Sequence, residues 1–269
     1  PYSPTLPGKY KVIAQKQCGT DPIQQFESKE LTVSVCPTDF DLDGVADNID
    51  LDVDNDGIFN STESLGAVSF DLLDIINPVM NLSTGSSTTV SVSTNLSLSS
   101  SITNLVGDNS GNATSTVGPG GTEKINYKLN FIEEFNFIFT NSDNNTHTIV
   151  DDESFILSVG PNIKTLTLLD PDNRLLIDTN FDGIFESGVT SFTANEFLFK
   201  YNPSPSGNSD FSFNAREVTE VNILHINESI LSTSTFGFKI SLKDLPTDTD
   251  GDLFYDYKDL DSDDDSCYD

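Results

Sequence analysis

Hydrophobic and polar positions alternate along most of the chain, with a period of two residues. Successive side chains of a β-strand point to opposite faces, so this alternation is typical of strands with one buried face. Turn-rich breaks at 117–121 and 202–207 separate such segments, and helical periodicity is absent over any useful length. The sequence therefore predicts an all-β fold. The hydrophobic positions of the clearest segments are Val90, Val92, Leu96, Leu98, Ile125, Tyr127, Leu129, Phe131, Phe135, Phe137, Phe139, Phe155, Leu157, Val159, Phe197, Phe199, Tyr201, Phe236, Phe238, Ile240 and Leu242.

Changes in composition divide the chain into four parts. Strands this numerous, with regularly spaced turns, predict a central β-sandwich of jelly-roll or lectin-like type over residues 65–243. Residues 37–64 and 244–269 are rich in Asp, and we expect both to be segments of calcium-loop repeats, the second one truncated. Residues 1–36 contain strand-like runs at 7–12 and 30–35 that look like the closing strands of an immunoglobulin-like module. We therefore expect an internal piece of a longer protein that begins with a partial immunoglobulin-like piece.

Acidic residues dominate the charge of the chain. Asp and Glu number 43 against 13 Lys and Arg, which gives a formal net charge of −30. This balance argues against nucleic acid and anionic lipid as partners, because both are bound through positive charge. The acidic residues concentrate in 39–63 and 244–269, where carboxylates repel one another unless cations neutralise them. No apolar run is long enough to span a membrane, so we predict no membrane insertion.

The first acidic stretch contains two consecutive copies of a calcium-loop pattern. The twelve-residue EF-type loop supplies side chains from its first, third, fifth, ninth and twelfth positions, a carbonyl from the seventh, and glycine at the sixth for a sharp turn. Both copies satisfy every position, with Gly44 and Gly57 at the sixth. The predicted metal ligands are Asp39, Asp41, Asp43, Val45, Asp47 and Asp50 in the first loop and Asp52, Asp54, Asp56, Ile58, Asn60 and Glu63 in the second, with Val45 and Ile58 acting through their carbonyls.

The pattern returns near the end of the chain, without glycine at the sixth positions. Leu253 and Ser266 stand there instead, and we expect Gly251 to absorb the third loop's turn two residues early. In the fourth loop the ninth position is Asp269, and the twelfth lies beyond the last residue. The predicted ligands are Asp248, Asp250, Asp252, Phe254, Asp256 and Asp259 in the third loop and Asp261, Asp263, Asp265 and Cys267 in the fourth, with Phe254 and Cys267 acting through their carbonyls.

A fifth candidate lies between predicted strands of the central domain, and Val189 occupies its twelfth position. It is either a calcium loop, which we favour, or a polar hairpin turn. For all the acidic loops the alternative is a disordered linker, which would not preserve the spacing or the hydrophobic residues at the eighth positions. The predicted ligands of the fifth loop are Asp178, Asn180, Asp182, Ile184 (through its carbonyl) and Glu186.

The remaining chemistry-bearing residues give weak signals. Cys18 and Cys36 either form a disulfide between neighbouring strands in an oxidising compartment or stay as buried thiols, and Cys267 pairs outside this chain or stays free. Neither His147 nor His225 lies near a nucleophile motif, so both are predicted to be structural. We expect no enzyme activity.

Residues 36–50 resemble a thrombospondin type 3 repeat, and residues 248–267 resemble the variant common in very large surface proteins of Bacteroidetes. Those proteins join immunoglobulin-like repeats, type 3 calcium repeats and β-sandwich modules, and include gliding-motility adhesins and other cargo of the type IX secretion system. The central domain carries no such signature. The resemblance implies a secreted, calcium-binding, adhesive segment at the cell surface, whose partners are neighbouring domains of its own chain and other surface proteins.

A lectin-like, calcium-dependent module that binds surface glycans is the alternative function. Jelly-roll lectins often combine a structural calcium ion with exposed aromatic side chains, and this chain has 19 Phe. Sugar stacking favours Trp and Tyr, however, and Trp is absent from the sequence. The structural and adhesive role is therefore the preferred prediction.

Overall fold

The protein is described by a computed structural model over residues 8–17, 24–28, 31–33, 37–64, 68–82, 89–100, 103–144, 147–160, 164–243 and 245–268. The structure is nearly all β, with 48% of residues in strands and no α-helix in these ranges. The predicted all-β class is confirmed. No helix in the described parts has the length and hydropathy needed to cross a membrane. Cys18, Cys36 and Asp269, on which three predictions depend, lie outside the described residues.

The strands are numbered β1 to β19 in chain order, and one short 3₁₀ turn, Asp256–Lys258, follows them. Their bounds are β1 Gly8–Tyr10, β2 Ile13–Lys16, β3 Gln24–Glu27, β4 Leu31–Val33, β5 Val68–Asp71, β6 Val79–Leu82, β7 Thr89–Ser91, β8 Ser93–Leu98, β9 Asn104–Gly107, β10 Asn112–Val117, β11 Glu123–Asn141, β12 His147–Thr148, β13 Glu153–Gly160, β14 Leu166–Leu169, β15 Leu175–Asp178, β16 Ser191–Ala194, β17 Glu196–Tyr201, β18 Ser212–Asn227 and β19 Ser234–Lys243.

The first four strands form two separate antiparallel pairs, β1 with β4 and β2 with β3. The pairing of β1 with β4 brings together parts of the two strand-like runs at 7–12 and 30–35. Every residue of β2 and β3 is exposed, including Ile13 and Phe26, so this pair buries neither face in the described structure. The immunoglobulin-like fold of this region stays a prediction.

Strands β5 to β19 form one 15-stranded sheet, in which the long strands β11 and β18 pair along its centre. The pairing shifts register between Asn130 and Phe137, as expected where a β-bulge bends a strand. Before this bend β11 also pairs with β8, and after it β11 pairs with β19. The hydrophobic runs 125–131 and 135–139 thus belong to one bent strand, which pairs with β8 on one side of the bend and with β19 on the other.

The large sheet folds over one hydrophobic core, because strands that do not pair with each other contact through their side chains. Phe155 on β13 lies with its ring centroid 4.2 Å from that of Phe236 on β19, and Phe236 also contacts Phe199. A fully buried Phe contributes about 1.5–3 kcal/mol through removal of apolar surface from water, so this aromatic core dominates stability. The predicted inward positions from Ile125 onward are buried. Of the earlier predicted positions, Val92 is buried and Leu96 is partly buried, but Leu98, at the end of β8, is 42% exposed.

The acidic segments lie side by side at one end of the large sheet. We call residues 37–64 the leading segment and residues 245–268 the trailing segment. Ser64 forms an antiparallel bridge with Pro246, and the Thr247 hydroxyl donates a hydrogen bond of 2.6 Å to the Glu63 carbonyl. The chain therefore enters and leaves the central domain at one place, and this brings the second and third loops together.

Candidate metal centres

All five acidic loops share one backbone conformation, with positive φ at the fourth and the sixth positions. Because L-residues rarely adopt positive φ, two such residues in alternation define a specific tight turn. At Gly44, Gly57 and Gly183 an added Cβ would meet nothing within 4 Å, so glycine is needed there for its backbone freedom alone. The pairs of φ values are 65° and 95° at Leu42 and Gly44, 59° and 99° at Asn55 and Gly57, 56° and 86° at Phe181 and Gly183, 83° and 82° at Gly251 and Leu253, and 53° and 70° at Asp264 and Ser266.

The expected role of Gly251 is wrong in one respect. Gly251 does not replace the turn at the sixth position, because Leu253 retains a φ of 82° there. Gly251 instead occupies the left-handed fourth position, which the sequence pattern did not predict. The third loop therefore stores strain at Leu253.

Replacing Leu253 by glycine should relieve this strain. Leu253 is 90% exposed, so the substitution removes little packing. The left-handed conformation costs an L-residue about 1–2 kcal/mol, which glycine avoids. Glycine also gives the unfolded chain more conformational entropy, and this offsets about 0.4–1 kcal/mol of that gain. We expect Leu253→Gly to raise the affinity of the third loop for calcium roughly two- to five-fold.

Calorimetric titration of calcium measures this change. The matched control is Leu231→Gly, because Leu231 is equally exposed, at 84%, and lies outside the acidic loops. An unchanged or lower affinity in the Leu253 variant would mean that the left-handed turn carries no strain.

A shared hydrogen-bond pattern orients the carboxylates of the loops. The amide of the sixth residue donates to the carboxylate of the first, and the amide of the seventh donates to that of the fifth. Each of these bonds holds one carboxylate oxygen against the backbone. In Asp39 and Asp52 the second oxygen is buried without a hydrogen-bond partner, whereas in Asp178, Asp248 and Asp261 it also accepts from a backbone amide. The distances for sixth to first are 3.2, 3.2, 2.8, 3.2 and 2.9 Å for Gly44–Asp39, Gly57–Asp52, Gly183–Asp178, Leu253–Asp248 and Ser266–Asp261. Those for seventh to fifth are 2.7, 2.6, 2.8, 2.7 and 2.9 Å for Val45–Asp43, Ile58–Asp56, Ile184–Asp182, Phe254–Asp252 and Cys267–Asp265.

The ninth residue closes each of the first, second, third and fifth loops. Its side chain accepts a hydrogen bond from the amide of the second residue, and its own amide donates to the carbonyl just before the loop. These closing residues are Asp47, Asn60, Asp256 and Glu186. The Asn60 amide group also donates to the Asp50 carbonyl at 3.0 Å, so both ends of this side chain are engaged. A ninth residue used in this way fits the water-mediated contact common at that position of EF-type loops.

Three carboxylates converge in each of four loops. One oxygen from each of the first, third and fifth residues lies within 4.8 Å of the other two. The groups are Asp39, Asp41 and Asp43; Asp52, Asp54 and Asp56; Asp248, Asp250 and Asp252; and Asp261, Asp263 and Asp265. Sequence spacing alone therefore identified side chains that the fold brings together.

The second loop has buried carboxylate oxygens with no hydrogen-bond partner in the protein. Both oxygens of Glu63 and one oxygen each of Asp52, Asp54 and Asp56 are in this state. Burial of unpaired carboxylates is strongly unfavourable, so such a cluster requires either protons or a cation. The donor set of the second loop therefore fits a hard cation, to which Ile58 could add its carbonyl oxygen.

The raised pKa values of two carboxyl groups in the second loop also indicate a site that favours a proton or a cation. Burial, reinforced by the charges of Asp54, Asp56, Asp52 and Asp256, raises the pKa of Glu63 to about 8. Burial likewise raises the pKa of Asp54 to about 6, although the Asp56 amide opposes the shift. The influence of Asp256 on Glu63 crosses from the trailing to the leading segment.

The twelfth residues of the first and third loops join each loop to the next one. Asp50 accepts a hydrogen bond of 3.0 Å from the Asp52 amide, and Asp259 accepts one of 3.1 Å from the Asp261 amide. Burial is the largest influence that raises the pKa of Asp50, with further contributions from Asp43 and Asp41. The last side chain of one loop thus accepts a hydrogen bond from the first amide of the next.

The fifth loop is more nearly satisfied by its own backbone. Asp178 is 1% exposed, and its two oxygens accept hydrogen bonds from the amides of Asn180, Asp182 and Gly183. Ile177 and Glu186 bridge the base of the loop through hydrogen bonds of 3.0 and 2.8 Å. This loop is a well-formed hairpin turn whether or not a cation binds.

Both histidines have structural partners. His225 is 1% exposed and contacts the hydroxyls of Ser115 and Ser234 at 2.8 and 2.7 Å. Ser234 in turn donates to Glu153, so the ring donates to Ser234 and accepts from Ser115 when Glu153 is ionised. Burial lowers the pKa of His225 to about 3 and that of His147 to about 4, so both rings are neutral at pH 7. The network at His225 was not predicted from sequence, because its members are distant along the chain.

The buried Glu153 should make stability depend on pH. Burial raises its pKa to about 7, above the ordinary 4.5, while the Ser234 hydroxyl opposes the shift. The native state therefore holds the proton more tightly than the unfolded state. Its stabilisation is complete below about pH 4.5 and declines as pH rises through 7, by roughly 3 kcal/mol in total. Glu153→Gln should abolish this loss.

Urea unfolding at pH 5 and pH 8 in saturating calcium tests the prediction. At each pH the unfolding free energy of the variant is subtracted from that of the wild type. Titrating groups common to both proteins then cancel, and the remaining pH dependence is that of Glu153. The exposed Glu228→Gln serves as the matched control. A pH dependence that is identical in wild type and Glu153→Gln would show that Glu153 does not titrate in this range.

Comparison with known proteins adds little to this description. No family model matches the chain, and no curated protein matches it. Among solved structures, an arabinose-bound α-L-arabinofuranosidase is similar over 66% of this chain and 26% of its own, at 9% identity and a TM-score of 0.20. The chain thus spans about a quarter of that enzyme's length, and so low a TM-score carries no argument. Fold and site define an all-β protein whose two acidic segments lie side by side against its large sheet, and the resemblance to type 3 repeats stays a prediction.

Proposed function

We propose that the chain is a calcium-stabilised structural and adhesive segment of a large extracellular surface protein. In this proposal the loops Asp39–Asp50, Asp52–Glu63 and Asp248–Asp259 bind Ca²⁺. The unpartnered, buried oxygens of Asp52, Asp54, Asp56 and Glu63 carry the proposal. A calcium ion would supply the partner that each of them lacks.

Calcium fits these loops better than other metals do. The predicted donors are carboxylates, one amide and backbone carbonyls, which are the oxygen ligands of hard cations. Ca²⁺ accepts six to eight oxygens in a flexible geometry, while Mg²⁺ demands a strict octahedron and retains several waters. Among the predicted ligands only Cys267 carries sulfur, and its proposed donor is the carbonyl.

The fourth and fifth loops are proposed as weaker sites. The fourth has a cluster of three carboxylates, but its ninth residue, Asp269, lies outside the described structure. In the fifth, three backbone amides already bond Asp178, so a cation gains less by binding. Calcium there would compete with an existing set of hydrogen bonds.

The proposed mechanism is mechanical. Without cations the clustered carboxylates repel one another, and the acidic segments gain mobility. Calcium cross-links each loop and fixes the central domain relative to its neighbours along the chain, because metal binding and folding are coupled. Extracellular modules bind calcium at about 10⁻⁴–10⁻³ M, so the joints become rigid only outside the cell. The assignments of a lectin-like sandwich and of a partial immunoglobulin-like module belong to this same proposal.

Glycan binding is the second candidate function. A groove of about 350 Å³ runs between the leading segment and the sheet, and Asn60, Asn136, Arg216 and Lys243 line it. Phe59, which is 60% exposed, stands beside these polar groups. Amides, a guanidinium and an aromatic ring in one groove are the groups that bind sugars, and a glycan array would detect such binding.

Calorimetric titration of Ca²⁺ into chelated protein tests the calcium proposal. We expect saturable heat from at least three sites and much weaker binding of Mg²⁺ at the same concentration. Absence of saturable heat at several millimolar calcium would refute the proposal.

A further inference from the structure

Two consecutive residues of the central domain, Arg216 and Glu217, contact both acidic segments. They lie at the irregularity in β18, where Glu217 has a φ of 55°. In a regular strand successive side chains point to opposite faces, but a bulge re-aims them. Here both side chains reach Tyr257 of the trailing segment. The positive φ at Glu217 is an unfavourable backbone conformation, and it allows both side chains to contact the trailing segment.

Arg216 holds the junction between the first and second loops. Its Nε donates to the Asp47 carbonyl at 2.8 Å, and its Nη2 donates to the Asp50 carbonyl at 3.2 Å. The Asp50 carbonyl also accepts the bond from the Asn60 side chain. A single carbonyl therefore joins the guanidinium, the end of the first loop and the closing residue of the second.

The same guanidinium packs against the third loop. Its central carbon lies 4.7 Å from the centre of the Tyr257 ring, which is 1% exposed. Tyr257 directly follows Asp256, the closing residue of that loop. The Tyr257 hydroxyl donates to Glu217, which also pairs with Lys258. Arg216 and Glu217 thereby fix the segment between the ninth and twelfth positions of the third loop.

We propose that Arg216 is a positioning residue for both acidic segments and couples their calcium affinities. This inference rests on the proposed function. When the leading segment closes around calcium, the carbonyls of Asp47 and Asp50 hold the guanidinium, and the guanidinium holds Tyr257 in place for the third loop. Coupling of this kind is reciprocal and typically changes affinity about 5- to 150-fold.

Residue-resolved calcium titration by NMR tests the coupling. The amide resonance of Gly57 reports the second loop, and that of Gly251 reports the third. Asp54→Asn removes a ligand of the second loop and should weaken calcium affinity at Gly251 about 5- to 20-fold, at the lower end of known couplings. In Arg216→Lys the affinity at Gly251 should already be weak, and adding Asp54→Asn should change it less than two-fold. Lysine keeps the charge but cannot bond two carbonyls while stacking on a ring.

Lys128→Arg is the matched control, because it also exchanges one basic residue for the other and keeps the charge. Lys128 pairs with Glu220 at 2.7 Å on the central sheet, outside both acidic segments. This variant should retain the wild-type response at Gly251. All variants should keep the core resonances of His225, so a local effect is separable from misfolding.

The outcomes distinguish the two proposals. If calcium shifts Gly57 and Gly251 but Asp54→Asn leaves the affinity at Gly251 unchanged, the coupling is absent while the calcium proposal stands. If Asp54→Asn weakens Gly251 equally in wild type and Arg216→Lys, the coupling bypasses Arg216, and the direct link of Ser64 to Pro246 carries it instead. If calcium shifts neither glycine, the proposed function fails as well.

Discussion

Calcium added to the chelated protein is expected to raise its melting temperature by roughly 5–10 °C for each loop that is filled. For a Kd of about 10⁻⁴ M, calcium at about 10 mM is a hundred-fold excess and stabilises the native state by about 2.7 kcal/mol for each site. In a domain of this size, 1 kcal/mol shifts the melting temperature by about 2–4 °C. The shift applies to the central domain as well, because Arg216 and the bridge of Ser64 to Pro246 join the acidic segments to it.

Calorimetry or circular dichroism during heating measures this shift. Added salt also screens repulsion between 43 acidic residues, so the control is NaCl at matched ionic strength. Specific sites predict a large shift with millimolar calcium and a small one with NaCl or Mg²⁺. Equal shifts of the melting temperature with all three salts would mean that calcium acts only by screening charge repulsion, without specific sites.

Asp54→Asn is expected to change stability in opposite directions with and without calcium. Asp54 is 8% exposed, and one of its oxygens has no partner. With calcium present, loss of a ligand should weaken the second loop at least ten-fold and lower the melting temperature. With chelator present, the variant removes a buried charge that Asp56 and Asp52 repel, so the melting temperature should rise.

Asp151→Asn is the matched control for this reversal. It makes the same change of charge at an exposed turn of the central domain. We expect it to shift the melting temperature little in either condition. A destabilisation by Asp54→Asn that is equal in calcium and in chelator would show that Asp54 serves only the fold.

Local sequence patterns predicted the elements whose physical cause is local. Alternation identified the buried face of β11, β13, β17 and β19, because the pleat of a strand places every second residue inward. The spacing of acidic residues identified the converging triplets for a similar reason. A twelve-residue loop is a local structure. Its first, third and fifth side chains converge because the fourth and sixth residues have positive φ.

The features that sequence reasoning missed depend on contacts between distant residues. The Arg216–Glu217 bulge joins a central strand to both acidic segments, and nothing near Arg216 in the sequence signals that role. The buried chain from Ser115 through His225 and Ser234 to Glu153 joins four strands in the same way. At Leu253 the loop adopts its turn without the expected glycine, because the remaining hydrogen bonds enforce it.

A crystal structure determined in millimolar calcium tests the central claim most directly. We predict an ion inside the turn Asp52–Glu63, 2.3–2.6 Å from oxygens of Asp52, Asp54, Asp56 and Glu63 and from the Ile58 carbonyl. A map that shows only water at that point, with the four carboxylates turned apart, would contradict the account.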